Sequence, residues 1–184
     1  ADIVSWFVLN IDYCAVLTGT GIRKYISNIL RVGNKLYHST RKNTIEGSRK
    51  NISDHYDLGN DFYSLFLDRT MTYSSGIFRS AEMSLEDAQV EKYDRLCRNL
   101  ALKPSDHLLE IGSGWGGMAI HAAKNYGCKV TTVTISAEQF KFAKERIAME
   151  GLDHLIEIRL QDYRHIIGTF DKIVSIEMLE AVGH

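Results

Sequence analysis

The sequence predicts an α/β protein organised around a doubly wound, Rossmann-like parallel sheet, with a mainly helical region ahead of it. Past Pro104, short β-branched apolar runs alternate with helical stretches, the order that a parallel sheet with helical crossovers requires. Glycines also crowd together where the first run gives way to a helical stretch, at Gly112, Gly114, Gly116 and Gly117. That is where an open α/β sheet turns its chain around a ligand. The 184 residues are 45% hydrophobic and 24% charged, the composition of one globular domain with an appendage, which excludes disorder, collagen and coiled coil.

The elements follow in chain order. The first apolar run, residues 3–9, is far short of the roughly 20 residues that cross a bilayer. It follows Ala1 with no basic flank, so it does not read as a signal peptide. We expect a segment of a longer chain, cut at both ends. Residues 22–50 carry Arg23, Lys24, Arg31, Lys35, Arg41, Lys42, Arg49 and Lys50 against Glu46. This is either a solvated linker or a patch for anionic lipid headgroups. Residues 51–78 crowd His55, Tyr56, Phe62, Tyr63, Phe66, Tyr73 and Phe78 together, mostly as expected packing residues. A helix is predicted over residues 84–100, with Ser84 as N-cap, Asp87 three positions on, and Leu85, Ala88, Leu96 and Leu100 on its apolar face; Lys103 and Pro104 end it. Strands are predicted at 107–111, 129–135, 156–160 and 172–176, and helices at 118–126 and 137–150, the latter closed by Gly151. The domain reading is a variable, basic segment 1–50, a helical cap 51–103 and the first half of a nucleotide-type sheet 104–184.

Charge and cysteines narrow the function. A net charge of -1 supplies no global field for nucleic acid. Cys14, Cys97 and Cys128 are odd in number and far apart, which offers neither a disulfide framework nor a metal knuckle and suits a reducing, cytosolic compartment. No metal site is expected.

The glycine turn has two candidate ligand classes. Gly112, Gly114 and Gly117 formally fit G-x-G-x-x-G, but a dinucleotide fingerprint also wants an acid about 20 residues on, at the end of the second strand. Here that strand ends Thr132-Val133-Thr134-Ile135. Glu110 instead stands just before the first glycine, the pattern of S-adenosylmethionine (SAM) methyltransferases, whose sulfonium and amino group an acid in the pocket favours. The sequence therefore favours SAM over a dinucleotide.

Six motifs in order then carry a resemblance: HYDLGNDF (55–62), TYSS (72–75), EIGSGWGG (110–117), TISAEQ (134–139), QDYR (161–164) and EMLEAVGH (177–184). Together they resemble the cyclopropane fatty acid synthase family, including the mycolic acid cyclopropane synthases, over about residues 51–184. The resemblance implies a class I SAM methyltransferase sheet, here running only to its fourth strand. It also implies methyl transfer from SAM to the cis double bond of a phospholipid acyl chain, then proton loss and ring closure.

It further implies the site. Tyr73 and Ser74 contact the carboxylate or amino group of SAM, Gly112, Gly114 and Gly116 its methionyl and ribose parts, and Trp115 covers it. Thr134 and Gln139 replace the ribose acid, although Gln139 also reads as the capping-box partner of Ser136. Asp162 and Tyr163 hold the adenine, with a turn role as the alternative for Asp162. The base is a bound bicarbonate held by Glu180, with Ser75 and a backbone group of Ile176; Glu177 is the decoy. Ser75 departs from the Cys that many members carry. The implied protein is cytosolic, touches the inner membrane face where its unsaturated phospholipid lies, binds no nucleic acid and has a homodimer as an assembly option. Residues 1–184 alone are expected to be inactive. A methyl-adding relative and a catalytically dead lipid-binding homologue stay open beside the synthase.

Overall fold

The computed structural model describes residues 59–178, which lie within a compact unit spanning Thr44–His184. The basic stretch at 22–50, His55, Tyr56 and Glu180 lie outside the described residues. The elements are α1 (Gly59–Ser64), α2 (Leu85–Asn99), β1 (His107–Ile111), α3 (Gly117–Tyr126), β2 (Lys129–Thr134), α4 (Ala137–Met149), β3 (Ile156–Leu160), a 3-10 turn at Tyr163–His165, and β4 (Lys172–Ser175).

The four strands are parallel in the order β3-β2-β1-β4. β1, β2 and β3 step outward in one direction and β4 returns to the other side of β1, so the topological switch point falls between β1 and β4. Ligands of open α/β sheets bind beyond the carboxyl ends of the strands at that place. Gly112 follows β1 and residues 176–178 follow β4, on either side of it.

Side chains alternate along each strand, and the register lines up Leu108, Val130 and Ile156 on one face. With Val174 they form the core against Tyr93 and Cys97 of α2, Met118, Ala119 and Ala122 of α3, and Ile147 of α4. Both faces of β2 are covered, and its Val130 to Thr134 are all buried, as a central parallel strand requires. Among the described residues β4 pairs only with β1, and Ile173 is 57% exposed on that edge.

The strand expectations hold to within a residue, and the helix caps follow the local chemistry. Ser84 accepts a hydrogen bond from the Asp87 N–H, and Ser136 accepts one from the Gln139 N–H. Three expectations need correction. The buried residues of α2 are Ala88, Gln89, Lys92, Tyr93 and Cys97; of the expected face Ala88 is among them and Leu96 and Leu100 pack against the core, but Leu85 is 40% exposed and two polar residues are buried beside them. The helix has the expected extent, Ser84 to Leu100 with its caps, but its stop is not set by Lys103 and Pro104: Ala101 turns left-handed (φ 49°) and the Leu102 N–H reaches the Cys97 carbonyl, the closure of a Schellman motif. Finally, Phe62, Phe66, Tyr73 and Phe78 are exposed; of the aromatics in that stretch, Tyr63 is the one that is buried among the described residues.

Candidate methyl-donor site

The turn after β1 is built by backbone geometry. The N–H groups of Gly112 and Ser113 both donate to the Val133 carbonyl, and the Gly116 N–H donates to the Ser113 carbonyl. Gly112, Gly114 and Gly116 all have positive φ. At Gly114 a Cβ would meet nothing within 4 Å, so the glycine is favoured by its φ of +49° alone and leaves open space above the loop. At Gly117 the reason is contact: a Cβ would lie 2.6 Å from the Tyr93 hydroxyl oxygen and 3.1 Å from the Thr70 carbonyl oxygen.

Glu110 is buried on β1 and accepts a hydrogen bond from the Thr132 hydroxyl at 2.6 Å. Burial drives its carboxyl up to about 8, with the Thr132 bond opposing, so it holds its proton at neutral pH in the absence of a cation. Trp115 is 2% exposed. Its indole N–H donates to Asn60 Oδ1 at 2.7 Å, its ring lies 5.0 Å from that of Tyr63, and its carbonyl accepts from Arg146. It is a buried anchor tying α1 to the glycine turn. Tyr63 in turn meets the exposed ring of Tyr73 edge-on at 5.3 Å.

The residues following β2 are paired with one another. The Thr134 hydroxyl donates to Gln139 Oε1 at 2.9 Å and accepts from the Ser136 N–H. The capping box expected at Ser136 is therefore half-formed by Thr134: Gln139 does not reach back to the cap backbone, and its amide nitrogen has no partner among the described residues. Asp162 is buried, caps the 3-10 turn through the Arg164 N–H, and accepts from the Arg164 guanidinium, which holds its carboxyl below the usual range. The turn role of Asp162 is thus realised, with Tyr163 half-buried beside it.

The TYSS segment is gripped from two sides. Ser75 donates to Glu177 Oε1 through its hydroxyl at 2.5 Å and its N–H at 3.0 Å. From α2, Gln89 donates to the Ser74 carbonyl at 2.7 Å, and Lys92 donates to Ser74 Oγ at 2.5 Å and the Ser75 carbonyl at 2.9 Å. Glu177, read as a decoy, is joined to Ser75 and sits at a left-handed φ of 47°; Ile176 is half-buried against the core. Met178 packs beside Gly112, its sulfur 3.5 Å from the position of a Cβ there. Thus Tyr73, Ser74, Ser75, Gly112, Ile176 and Glu177 belong to segments that meet at the switch point. Gln89, Lys92 and Arg146 were missed because polar residues inside a helical pattern read as its solvated face.

Residues 43–184 match the model of the mycolic acid cyclopropane synthetase family. The chain is 51% identical over 130 residues to the cyclopropane-fatty-acyl-phospholipid synthase of Escherichia coli, covering 71% of this chain and 33% of that one. It is 47% identical over 135 residues to a probable fatty acid methyltransferase of Pseudomonas putida, covering 72% and 34%. The solved structure of mycolic acid cyclopropane synthase CmaA1 complexed with SAH and CTAB superposes with a TM-score of 0.69 at 34% identity, over 72% of this chain and 46% of that one. The chain spans about a third of the length of the curated relatives it matches. A sheet wound about the Glu110 to Gly117 turn and a family match over residues 43–184 agree, and the chain belongs to the mycolic acid cyclopropane synthetase family.

Proposed function

We propose that the complete protein adds one carbon from SAM to the cis double bond of an unsaturated phospholipid acyl chain and closes it to a cyclopropane. The observation that carries this reading is the meeting of the glycine turn, the TYSS segment and residues 176–178 at the sheet's switch point. The described residues fit a methyl donor: open space lies over Gly114, Gln139 offers an unused amide, and the buried carboxyl of Glu110 gains from a cationic neighbour.

In this reading Tyr73 and Ser74 bind the methionyl end, Gly112, Gly114 and Gly116 line the middle, and Trp115 holds the turn. Thr134 and Gln139 hold the ribose, and Asp162 and Tyr163 the adenine. When bound, SAM supplies an electrophilic methyl on a sulfonium, and SAH leaves. The alkene carbon takes that methyl, the neighbouring carbon becomes cationic, a methyl C–H bond gives up its proton, and its electron pair closes the ring. An alkene is a weak nucleophile, so the pocket must favour the cation and exclude water. The rings of Phe66, Tyr73 and Tyr63 form an aromatic cluster in edge and tilted contact that suits both the cation and the acyl chain. Glu180 and a backbone group of Ile176 would hold bicarbonate as the base; Ser75, whose hydroxyl and N–H both donate to Glu177, would join them only by releasing that carboxylate.

No helix among the described residues is long and apolar enough to cross a membrane. We place the protein at the cytosolic membrane face, drawing on its lipid by peripheral contact, with a homodimer as an assembly option. The relative named a fatty acid methyltransferase supports a second reading, methyl addition without ring closure. Labelled SAM and vesicles of unsaturated phospholipid, given to the complete protein, separate the outcomes. A gain of one CH2 with loss of the double bond is expected. Gain with the double bond kept, or with added oxygen, moves the reading to the methyl-adding relatives; lack of SAM binding leaves a lipid-binding homologue.

A further inference from the structure

Lys92 is buried on α2, only 6% exposed, and among the described residues no carboxylate lies within ion-pair distance of it. Burying a lysine without a paired carboxylate is costly, and a methionine would fill the same space. Its head is spent on the TYSS segment, at Ser74 Oγ and the Ser75 carbonyl. Gln89, one turn earlier on the same face, donates to the Ser74 carbonyl and is 1% exposed. The two side chains hold Ser74 at two points and its neighbour Ser75 at a third.

An ammonium has donors and no acceptor. Toward Lys92, Ser74 Oγ is therefore the acceptor, and its own proton must point elsewhere. A serine hydroxyl that otherwise rotates is fixed as an outward donor, and the nearby cation makes it a stronger one. Resting on the reading above, in which Ser74 faces the methionyl end of SAM, we propose that Lys92 is a positioning residue that sets the Ser74 hydroxyl to donate to the ligand's carboxylate. Burial lowers the Lys92 pKa to about 8, against the opposing fields of Glu177 and Asp68, which leaves the ammonium the prevailing form at neutral pH.

The test compares SAM with decarboxylated SAM, which keeps the sulfonium, ribose and adenine but lacks the carboxylate. Affinities are measured by titration calorimetry on the complete protein and on its Lys92→Met, Ser74→Ala and doubly substituted forms. Each single change is expected to weaken SAM by about tenfold, the size of one charge-assisted hydrogen bond, and to leave the decarboxylated compound within about twofold. The double form should be no weaker than Ser74→Ala alone. Equal losses for both compounds would mean a purely structural lysine and overturn the proposal, as would an unchanged SAM affinity in Lys92→Met. Should Lys92→Met fail to fold, Ser74→Ala decides alone: without selective loss of SAM affinity, there is no donor for Lys92 to position. If the unsubstituted protein binds neither compound, it is the methyl-donor reading that falls.

Discussion

Thr134 and Gln139 are each other's partner: the threonine hydroxyl donates to Gln139 Oε1 at 2.9 Å, and both side chains are buried. In the proposed methyl-donor site the pair would stand in for the ribose acid, with the opposite polarity. A carboxylate would accept from ribose hydroxyls; Gln139, its oxygen already occupied, presents an N–H donor instead.

Two substitutions test that polarity. Thr134→Val removes the hydroxyl that orients Gln139 and also the acceptor for the Ser136 N–H, so SAM affinity should fall by roughly tenfold. Gln139→Glu still accepts from Thr134 but puts a second acceptor where the N–H donor stood, so affinity should also fall by roughly tenfold. Titration calorimetry reads both. An affinity unchanged in Gln139→Glu would mean that the ribose takes no donor from residue 139.

Glu110 sets a pH dependence. Its folded-state carboxyl is raised by burial to about 8 from 4.5. Below about pH 4.5 both folded and unfolded chains hold the proton and the contribution is complete. Between there and about 8 the unfolded chain loses the proton first, so folding stability falls as pH rises, by at most about 1.4 kcal/mol per pH unit for one group. Urea denaturation of the complete protein across this range should show the slope, and Glu110→Gln should flatten it. Identical pH profiles for the two would exclude a protonated Glu110. A cationic methyl donor near the carboxyl should also expel its proton, seen as binding heats at pH 7 that change with the ionisation enthalpy of the buffer.

Glu177 tethers the TYSS segment to the end of β4 through the Ser75 N–H and hydroxyl. The two hydrogen bonds hold its carboxyl below the ordinary range. The side chain is exposed, so Glu177→Ala should cost under about 1 kcal/mol of global stability. The local effect should be larger. Hydrogen exchange at the Ser75 amide should accelerate markedly while the amides of α2 keep their protection. Unchanged exchange at Ser75 would show that Lys92 and Gln89 suffice to hold the segment.

The legibility of these features tracks the kind of interaction involved. β1 and β3 were readable to the residue from β-branched or apolar runs flanked by turn residues, although only the β1 run coincides with burial and β3 buries Ile156 alone. Ser84 and Ser136 were readable as caps from side-chain chemistry alone. The glycine turn announced itself, since positive φ leaves few other residues available. The buried face of α2 was readable only in part, at Ala88, Leu96 and Leu100, because hydrophobic periodicity is blind to a lysine and a glutamine buried to serve a neighbouring segment. The exposed rings of Phe62, Phe66 and Tyr73 misled for the complementary reason: side-chain hydrophobicity does not tell core packing from a surface left apolar. Asp162 carried two readings and Glu177 stood only as a decoy, and the partners that the fold brings near, Arg164 and Ser75, show which contacts they make.

Gly117 and Tyr93 give the sharpest packing test. A Cβ at residue 117 would lie 2.6 Å from the Tyr93 hydroxyl oxygen and 3.1 Å from the Thr70 carbonyl oxygen. The hydroxyl is no loose end to be pushed aside: it is bonded to Thr72 Oγ1, whose own partner is Thr70. Gly117→Ala should therefore destabilise the protein by about 1–3 kcal/mol, as overpacking of a well-filled interior does. Tyr93→Phe removes the oxygen and leaves Thr72 its bond to Thr70, at a cost of about 1 kcal/mol. Combined, the two should cost less than their sum, because the alanine methyl enters the space the oxygen has left, giving a coupling of roughly 0.5–3 kcal/mol. Denaturant unfolding of the four proteins measures it. Strict additivity would mean that the Thr70 carbonyl, not the Tyr93 hydroxyl, is what keeps residue 117 a glycine.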